Sequence, residues 1–214
     1  MSWAHRPLAQ ITRKWILLYV LGPIITHYTH PSVRGTEHLS SLVAPVVFAA
    51  NHSSHMDTPL ILRALPGRWR RRTAVVAAAD YFFRNRLVAG LVSLAFGAVP
   101  IERKAGARDS ARRLNNLVQA STNLLVYPEG TRSRNGEMGP LRSGAARLAI
   151  AHGIPIVPIR VSGSHDAMPP GQWWPRRFPV AVSFGPAIRP APGEDHKGVT
   201  ERVERALRSM RDDG

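Results

Sequence analysis

The run Val46-Val47-Phe48-Ala49-Ala50 constrains this chain most, because it ends abruptly in the polar cluster Asn51-His52-Ser53-Ser54-His55-Met56-Asp57. An apolar, partly β-branched run of that length reads as a buried strand. A polar cluster at its carboxyl end is where open α/β sheets collect ligands and chemistry.

His52 and Asp57 supply an imidazole and a carboxylate close enough in sequence to meet across one turn. A neutral imidazole takes a proton from an attacking hydroxyl, and a buried carboxylate fixes its tautomer and stabilises the imidazolium. The chain has no cysteine, which leaves direct attack on the substrate by an activated acceptor as the economical mechanism. Residues five apart on an ideal helix point about 140° from one another. The spacing therefore places His52 in a strand-to-helix loop and Asp57 in the first helical turn. A plainer reading stands beside this one. Ser54 and Asp57 fit a capping box ahead of Pro59-Leu60-Ile61-Leu62, in which Asp57 merely caps the helix.

A metal site is the third reading. His52, His55 and Asp57 resemble the His-x-His-x-Asp-His pattern of metallo-β-lactamase-type hydrolases, but the spacing differs by one residue and Thr58 stands where the last His belongs. Three or four convergent ligands are needed, and the remaining histidines form no ligand-like cluster, so the expectation is no metal.

A chain of 214 residues is one α/β-sized domain. The absence of Cys excludes a disulfide framework and thiolate-ligated metal. Its 29 basic against 14 acidic residues give a net charge of +15, a field that attracts polyanions. No nucleic-acid motif is present and the aromatics are not interleaved with the basic residues, so no nucleic-acid partner is expected. An anionic membrane surface or a phosphate-rich carrier such as coenzyme A fits better.

Trp15 to Ile25 is apolar for eleven residues, short of the roughly 20 that a bilayer span needs. Arg6, Arg13 and Lys14 precede it with no signal-peptide cleavage site after it. The segment is expected either to pack on the core or to lie in a membrane interface, anchored by Trp3 and Trp15. The expected division is an N-terminal amphipathic segment over residues 1–32 and an α/β domain over 33–214. Beyond it, strands are expected at Val33, 46–50, 73–79, after Gly97, 123–127, 154–161 and 180–184. Helices are expected over 58–64, 87–96, 109–120, 141–151 and 200–210. The prolines of Ile154-Pro155-Ile156-Val157-Pro158 favour an edge or bulged strand. Arg68-Trp69-Arg70-Arg71-Arg72 reads as a basic loop, either solvated or a clamp for anionic lipid or coenzyme A phosphates. Trp173 and Trp174 lie in a proline-rich loop and either touch membrane or pack.

Two further strand ends carry polar groups. Ile101-Glu102-Arg103-Lys104 offers a guanidinium fork suited to phosphate. Tyr127-Pro128-Glu129-Gly130-Thr131-Arg132-Ser133 offers Glu129 as an acceptor for a sugar or glycerol hydroxyl, and Thr131 and Arg132 as donors. Gly130 permits backbone angles closed to other residues.

Asn51-His52-x-x-x-x-Asp57, Gly97 through Ile101-Glu102-Arg103, Tyr127-Pro128-Glu129-Gly130-Thr131-Arg132-Ser133 and Ile154-Pro155-Ile156-Val157-Pro158 occur in this order. The set resembles the glycerolipid acyltransferase family, whose best-known members are 1-acylglycerol-3-phosphate (lysophosphatidate) acyltransferases; Glu102 replaces the Asp found in many members. The resemblance spans residues 33 to about 190. It implies a twisted, mostly parallel sheet flanked by helices, with amphipathic N-terminal helices on a membrane. It implies acyl transfer from acyl-CoA or acyl carrier protein to lysophosphatidate or another lysolipid or glycolipid, with no acyl-enzyme and no cofactor beyond the thioester co-substrate. His52 would be the base and Asp57 its orienting partner. Arg103, Glu129, Gly130, Thr131 and Arg132 would hold the acceptor, and 154–158 would help form the acyl-donor side. It further implies peripheral attachment at the cytoplasmic membrane face.

Overall fold

The structure is a computed structural model that describes residues 7–78, 94–101 and 107–210. Among the described residues seven strands form one sheet: β1 (Ser32–Arg34), β2 (Val47–Ala50), β3 (Thr73–Ala78), β4 (Ala98–Ile101), β5 (Asn123–Val126), β6 (Ile156–Ser162) and β7 (Ala181–Phe184). Their order is β1-β7-β6-β2-β5-β3-β4. Every neighbouring pair is parallel except β6 and β7. The helices are α1 (Pro7–Trp15), which passes through a π segment (Ile16–Val20) into α2 (Leu21–Thr29), then α3 (Asp57–Ala64), α4 (Gly67–Arg70), α5 (Ala107–Gln119), α6 (Gly144–His152), α7 (Ser164–Ala167) and α8 (His196–Ser209). The mostly parallel α/β architecture is the one expected.

Strand β2 is central and wholly buried, each of its four residues 0% exposed. Alternation sends Phe48 and Ala50 to one face and Val47 and Ala49 to the other. The first face packs on α3 through Leu60, Ile61 and Leu62 and on the N-terminal helices through Leu17 and Ile25. The second packs on Val118 of α5, Ala146 and Ala149 of α6, and Val199, Val203 and Leu207 of α8. The chain leaves β2 through α3 for β3, whereas it leaves the adjacent β5 through α6 for β6. These connections diverge to opposite faces and opposite directions, which opens a crevice at the carboxyl ends of β2 and β5.

Several expectations change in detail. Strand β6 is interior rather than at an edge, yet Pro158 does fall at a break in register. Pairing with the β7 side passes from Ile159↔Phe184 to Ile156↔Ile188, three steps on one strand against four on the other. The missing proline N–H thus sits where the ladder is already interrupted. The basic stretch 68–72 is not wholly the loop expected. Part of it is the short helix α4, and it precedes β3, which places it at the opposite edge of the parallel sheet. Trp69 is a core residue, edge-on to Phe48 at 5.9 Å, and Arg68 donates to the carbonyls of Leu39 and Ser40. Helix α8 starts earlier than expected because Asp195 caps it by accepting from Gly198 N–H.

The core-packing reading of the N-terminal segment holds on one face, and a second face is exposed. Leu17 and Ile25 are buried, buried Arg13 donates to the Leu94 carbonyl, and Gly22 lies against the Arg63 guanidinium, which also donates to Thr26 Oγ1. Ile11, Trp15 and Tyr19 recur every fourth residue and are 54%, 57% and 62% exposed. Among the described residues no helix is long and apolar enough to cross a membrane. Trp3, residues 79–93 and Arg103 lie outside the described residues.

Candidate active site

The turn after β2 is built from backbone inward. Asn51 continues the ladder with its side chain, donating from Nδ2 to Val161 O at 2.9 Å and accepting from Val161 N at 2.7 Å. This fixes where His52 emerges. His52 N–H donates to Glu129 Oε1 at 2.7 Å, and its carbonyl accepts from Ser133 N at 2.8 Å. The ring stacks on Tyr127, with centroids 4.0 Å apart and planes 20° from parallel. Tyr127 is pinned in turn through its hydroxyl to Thr58 Oγ1 at 2.7 Å. Burial, reinforced by the Asp57 charge, pushes the phenol pKa well up and keeps it neutral.

His52 Nδ1 lies 2.8 Å from Asp57 Oδ2. The Asp57 side chain is fully buried and takes three further donors: Ser53 N–H at 2.7 Å, Ser54 N–H at 2.8 Å and the Ser164 hydroxyl on Oδ1. Both Asp57 oxygens thus act as acceptors, which assigns the ring proton to Nδ1 and leaves Nε2 as the basic nitrogen. The capping-box reading is not met, because α3 starts at Asp57 behind a Met56 N-cap that makes no side-chain cap bond; the Asp57 oxygen that accepts from Ser54 N–H is the one that holds the imidazole.

Strand β5 ends beside this turn. Glu129, expected to accept a substrate hydroxyl, instead lies buried behind the pocket. One oxygen accepts from His52 N–H and the other from Gly139 N–H at 2.9 Å. Burial raises its pKa, opposed by those two N–H groups. Gly130 adopts φ 75° with the Arg142 side chain where a Cβ would stand, so a larger residue there meets both strain and a clash. Gly130, Thr131 and Arg132 line the cavity.

That cavity has a volume of about 650 Å³. His52, His55, Thr131 and Arg132 stand among its polar groups, while Ile24, Val75, Phe96 and Leu148 belong to a predominantly apolar wall. Burial and the nearby Arg132 and His52 lower the His55 pKa to about 4, so its imidazole is neutral at pH 7. The metal reading gains no support: among the described residues, no three His, Cys, Asp or Glu side chains stand where they could share an ion.

Two contributors escaped the sequence reading. Ser164 reaches Asp57 from 107 positions away, and its hydroxyl also meets Ser53 Oγ at 3.0 Å. Tyr127 is the platform under the imidazole, but in the sequence it reads only as the end of a strand. Ser162-Gly163-Ser164 was detectable by the rule that marked residues 51–57, being a polar cluster where an apolar strand stops.

The family model described as Acyltransferase matches residues 30–162. The chain is 33% identical over 138 residues to human 1-acyl-sn-glycerol-3-phosphate acyltransferase alpha, an alignment covering 63% of this chain and 46% of that one. It is 30% identical over 142 residues to the chloroplastic 1-acyl-sn-glycerol-3-phosphate acyltransferase BAT2 of Brassica napus, covering 65% and 39%. The chain thus spans less than half the length of these two relatives. In fold it is similar to the crystal structure of the 1-acyl-sn-glycerophosphate acyltransferase PlsC from Thermotoga maritima, with a TM-score of 0.67, 21% identity, and coverage of 95% of this chain and 78% of that one.

Proposed function

Because the chain belongs to the acyltransferase family, we propose that it moves a fatty acyl group from a thioester carrier, acyl-CoA or acyl carrier protein, to the free hydroxyl of lysophosphatidate, giving phosphatidate. One observation carries this reading: a His–Asp pair opens on a predominantly apolar cavity that also presents the Gly130-Thr131-Arg132 turn. The apolar wall suits an acyl chain, and a guanidinium suits the acceptor phosphate. The relatives' names supply the acceptor class, since they act on 1-acyl-sn-glycerol-3-phosphate.

In the proposed step His52 Nε2 takes the proton from the acceptor hydroxyl as its oxygen bonds to the thioester carbon. Asp57 stabilises the imidazolium that forms. Collapse of the tetrahedral intermediate breaks the carbon–sulfur bond, and the imidazolium proton goes to the departing thiolate. No covalent acyl-enzyme is required. The chain works at a membrane surface without crossing it, on the cytoplasmic side, where its net charge of +15 meets anionic lipid.

The test is thiol release from a long-chain acyl-CoA, and from acyl carrier protein, with and without lysophosphatidate. The reading expects acceptor-dependent release and a phosphatidate product. Release that ignores the acceptor would make the chain a thioesterase. Arg132→Ala should raise the acceptor KM strongly, and an unchanged KM for the phosphorylated acceptor would remove Arg132 from the phosphate site.

A further inference from the structure

The loop between α7 and β7 carries Trp173, Trp174 and Phe178, which are 85%, 50% and 41% exposed, with exposed Arg176 and Arg177 between them. Exposed tryptophans paired with arginines suit a membrane interface, where an amphipathic indole and a cation are both at home. The loop is held rather than loose. Trp174 Nε1 donates to Tyr28 Oη at 3.0 Å, Phe178 N–H to Tyr28 O at 2.9 Å, and Arg176 N–H to Ala167 O at 2.8 Å. Arg177 meets His27 Nε2 at 3.0 Å. Trp173, Trp174 and Pro175 also form part of the wall of the cavity that His52 faces, together with Leu21, Ile24 and Ile25 of α2.

We propose that this loop is a second bilayer contact, separate from the N-terminal helices: Trp173 and Trp174 seat in the interface of an anionic membrane, Arg176 and Arg177 meet its headgroup phosphates, and the cavity they help to wall opens onto lipid. The occupant is a lipid surface rather than an acidic protein, because the aromatic pair continues into the apolar wall of the cavity. Only the purpose of the contact rests on the lipid-acyltransferase reading; the contact itself does not.

The chain has no cysteine, so a single introduced one can be labelled selectively. Gln172→Cys, an exposed position that leaves both tryptophans in place, carries an environment-sensitive fluorophore, and Arg205→Cys on exposed α8 surface is the control. With the full chain and mixed phosphatidylglycerol–phosphatidylcholine vesicles, without donor or acceptor, the label at 172 should shift to the blue. It should also be quenched by lipids brominated on their acyl chains, and the label at 205 should do neither. Arg176→Ala with Arg177→Ala should weaken binding to these vesicles about 20- to 30-fold, taking about fivefold per headgroup-contacting arginine, and should change binding to pure phosphatidylcholine little. Trp173→Ala should weaken binding to both vesicle types about tenfold. A label at 172 that behaves like the one at 205 on bound chain overturns the proposal and leaves binding to the N-terminal helices. Unchanged vesicle affinity in the arginine variant, with weakened binding of acyl carrier protein, overturns it in favour of carrier docking. Neither readout involves acyl transfer, so a failed catalytic assay leaves this test intact.

Discussion

The turns that follow β2 and β5 lie side by side at one edge of the sheet, and each buries a carboxylate. Asp57 faces an imidazole and is surrounded by donors, so its charge is directed at a group that can move a proton. Glu129 faces two backbone N–H groups, one of them that of His52, so it sets the position of His52 from behind. The same functional group thus faces an imidazole in one turn and braces backbone in its neighbour. What separates them is the partner, which the residue type alone does not reveal.

Substitutions can separate the two roles. Asp57→Asn should have the largest effect: an amide cannot hold His52 in the required tautomer, so turnover should fall about 10³- to 10⁴-fold with acceptor KM little changed. Steady-state kinetics on both substrates check this; a loss confined to KM would make Asp57 a binding residue. Glu129→Gln should act first on stability. One acceptor oxygen becomes an NH2 facing an N–H, which costs about 2 kcal/mol, and displacement of His52 lowers turnover about tenfold. Urea unfolding read beside kcat tests the brace, and a fully stable variant with a raised acceptor KM would return Glu129 to the substrate.

Tyr127→Phe keeps the stack under His52 and removes only the bond to Thr58, so a loss of about 1 kcal/mol and a change of a fewfold in turnover are expected. The smallest effect at neutral pH belongs to His55→Gln. The folded pKa of His55 is about 4, below its ordinary 6.5. Between those values the unfolded chain binds more protons, so His55 makes stability rise with pH across that window and fall as the solution is acidified through it. His55→Gln should flatten this slope between pH 4 and 6.5, as read by urea midpoints. An unchanged slope would assign it to other groups.

Much of this site was legible in the sequence, for a definite reason. Runs such as 46–50 and 123–127 end in polar clusters, and a parallel sheet must bring such ends to one edge, so His52, Asp57 and the Gly130-Thr131-Arg132 turn could be placed together before any coordinates. What stayed hidden depends on through-space partners. Nothing local to Glu129 reports that Gly139 and His52 donate to it, and nothing near Asp57 reports Ser164. Trp69, set among arginines, resembles a surface anchor until the fold turns its indole onto Phe48. Pro155 and Pro158 left an edge and a bulge both open, and the fold decides for the bulge. Proline excludes a ladder bond on one side only, and the register break opposite Pro158 is a property of the β7 side rather than of β6.

The central claim is that the chemistry resides in the imidazole of His52, held by the turn after β2. The direct measurement is single-turnover acyl transfer from acyl-CoA to lysophosphatidate by wild type and His52→Ala, with the thermal midpoint of each recorded. The account predicts a rate lower by about 10²- to 10⁴-fold in a variant that stays folded, since Asn51 and Glu129 hold this turn without using the ring. A folded His52→Ala chain that transfers acyl groups at the wild-type rate would contradict it.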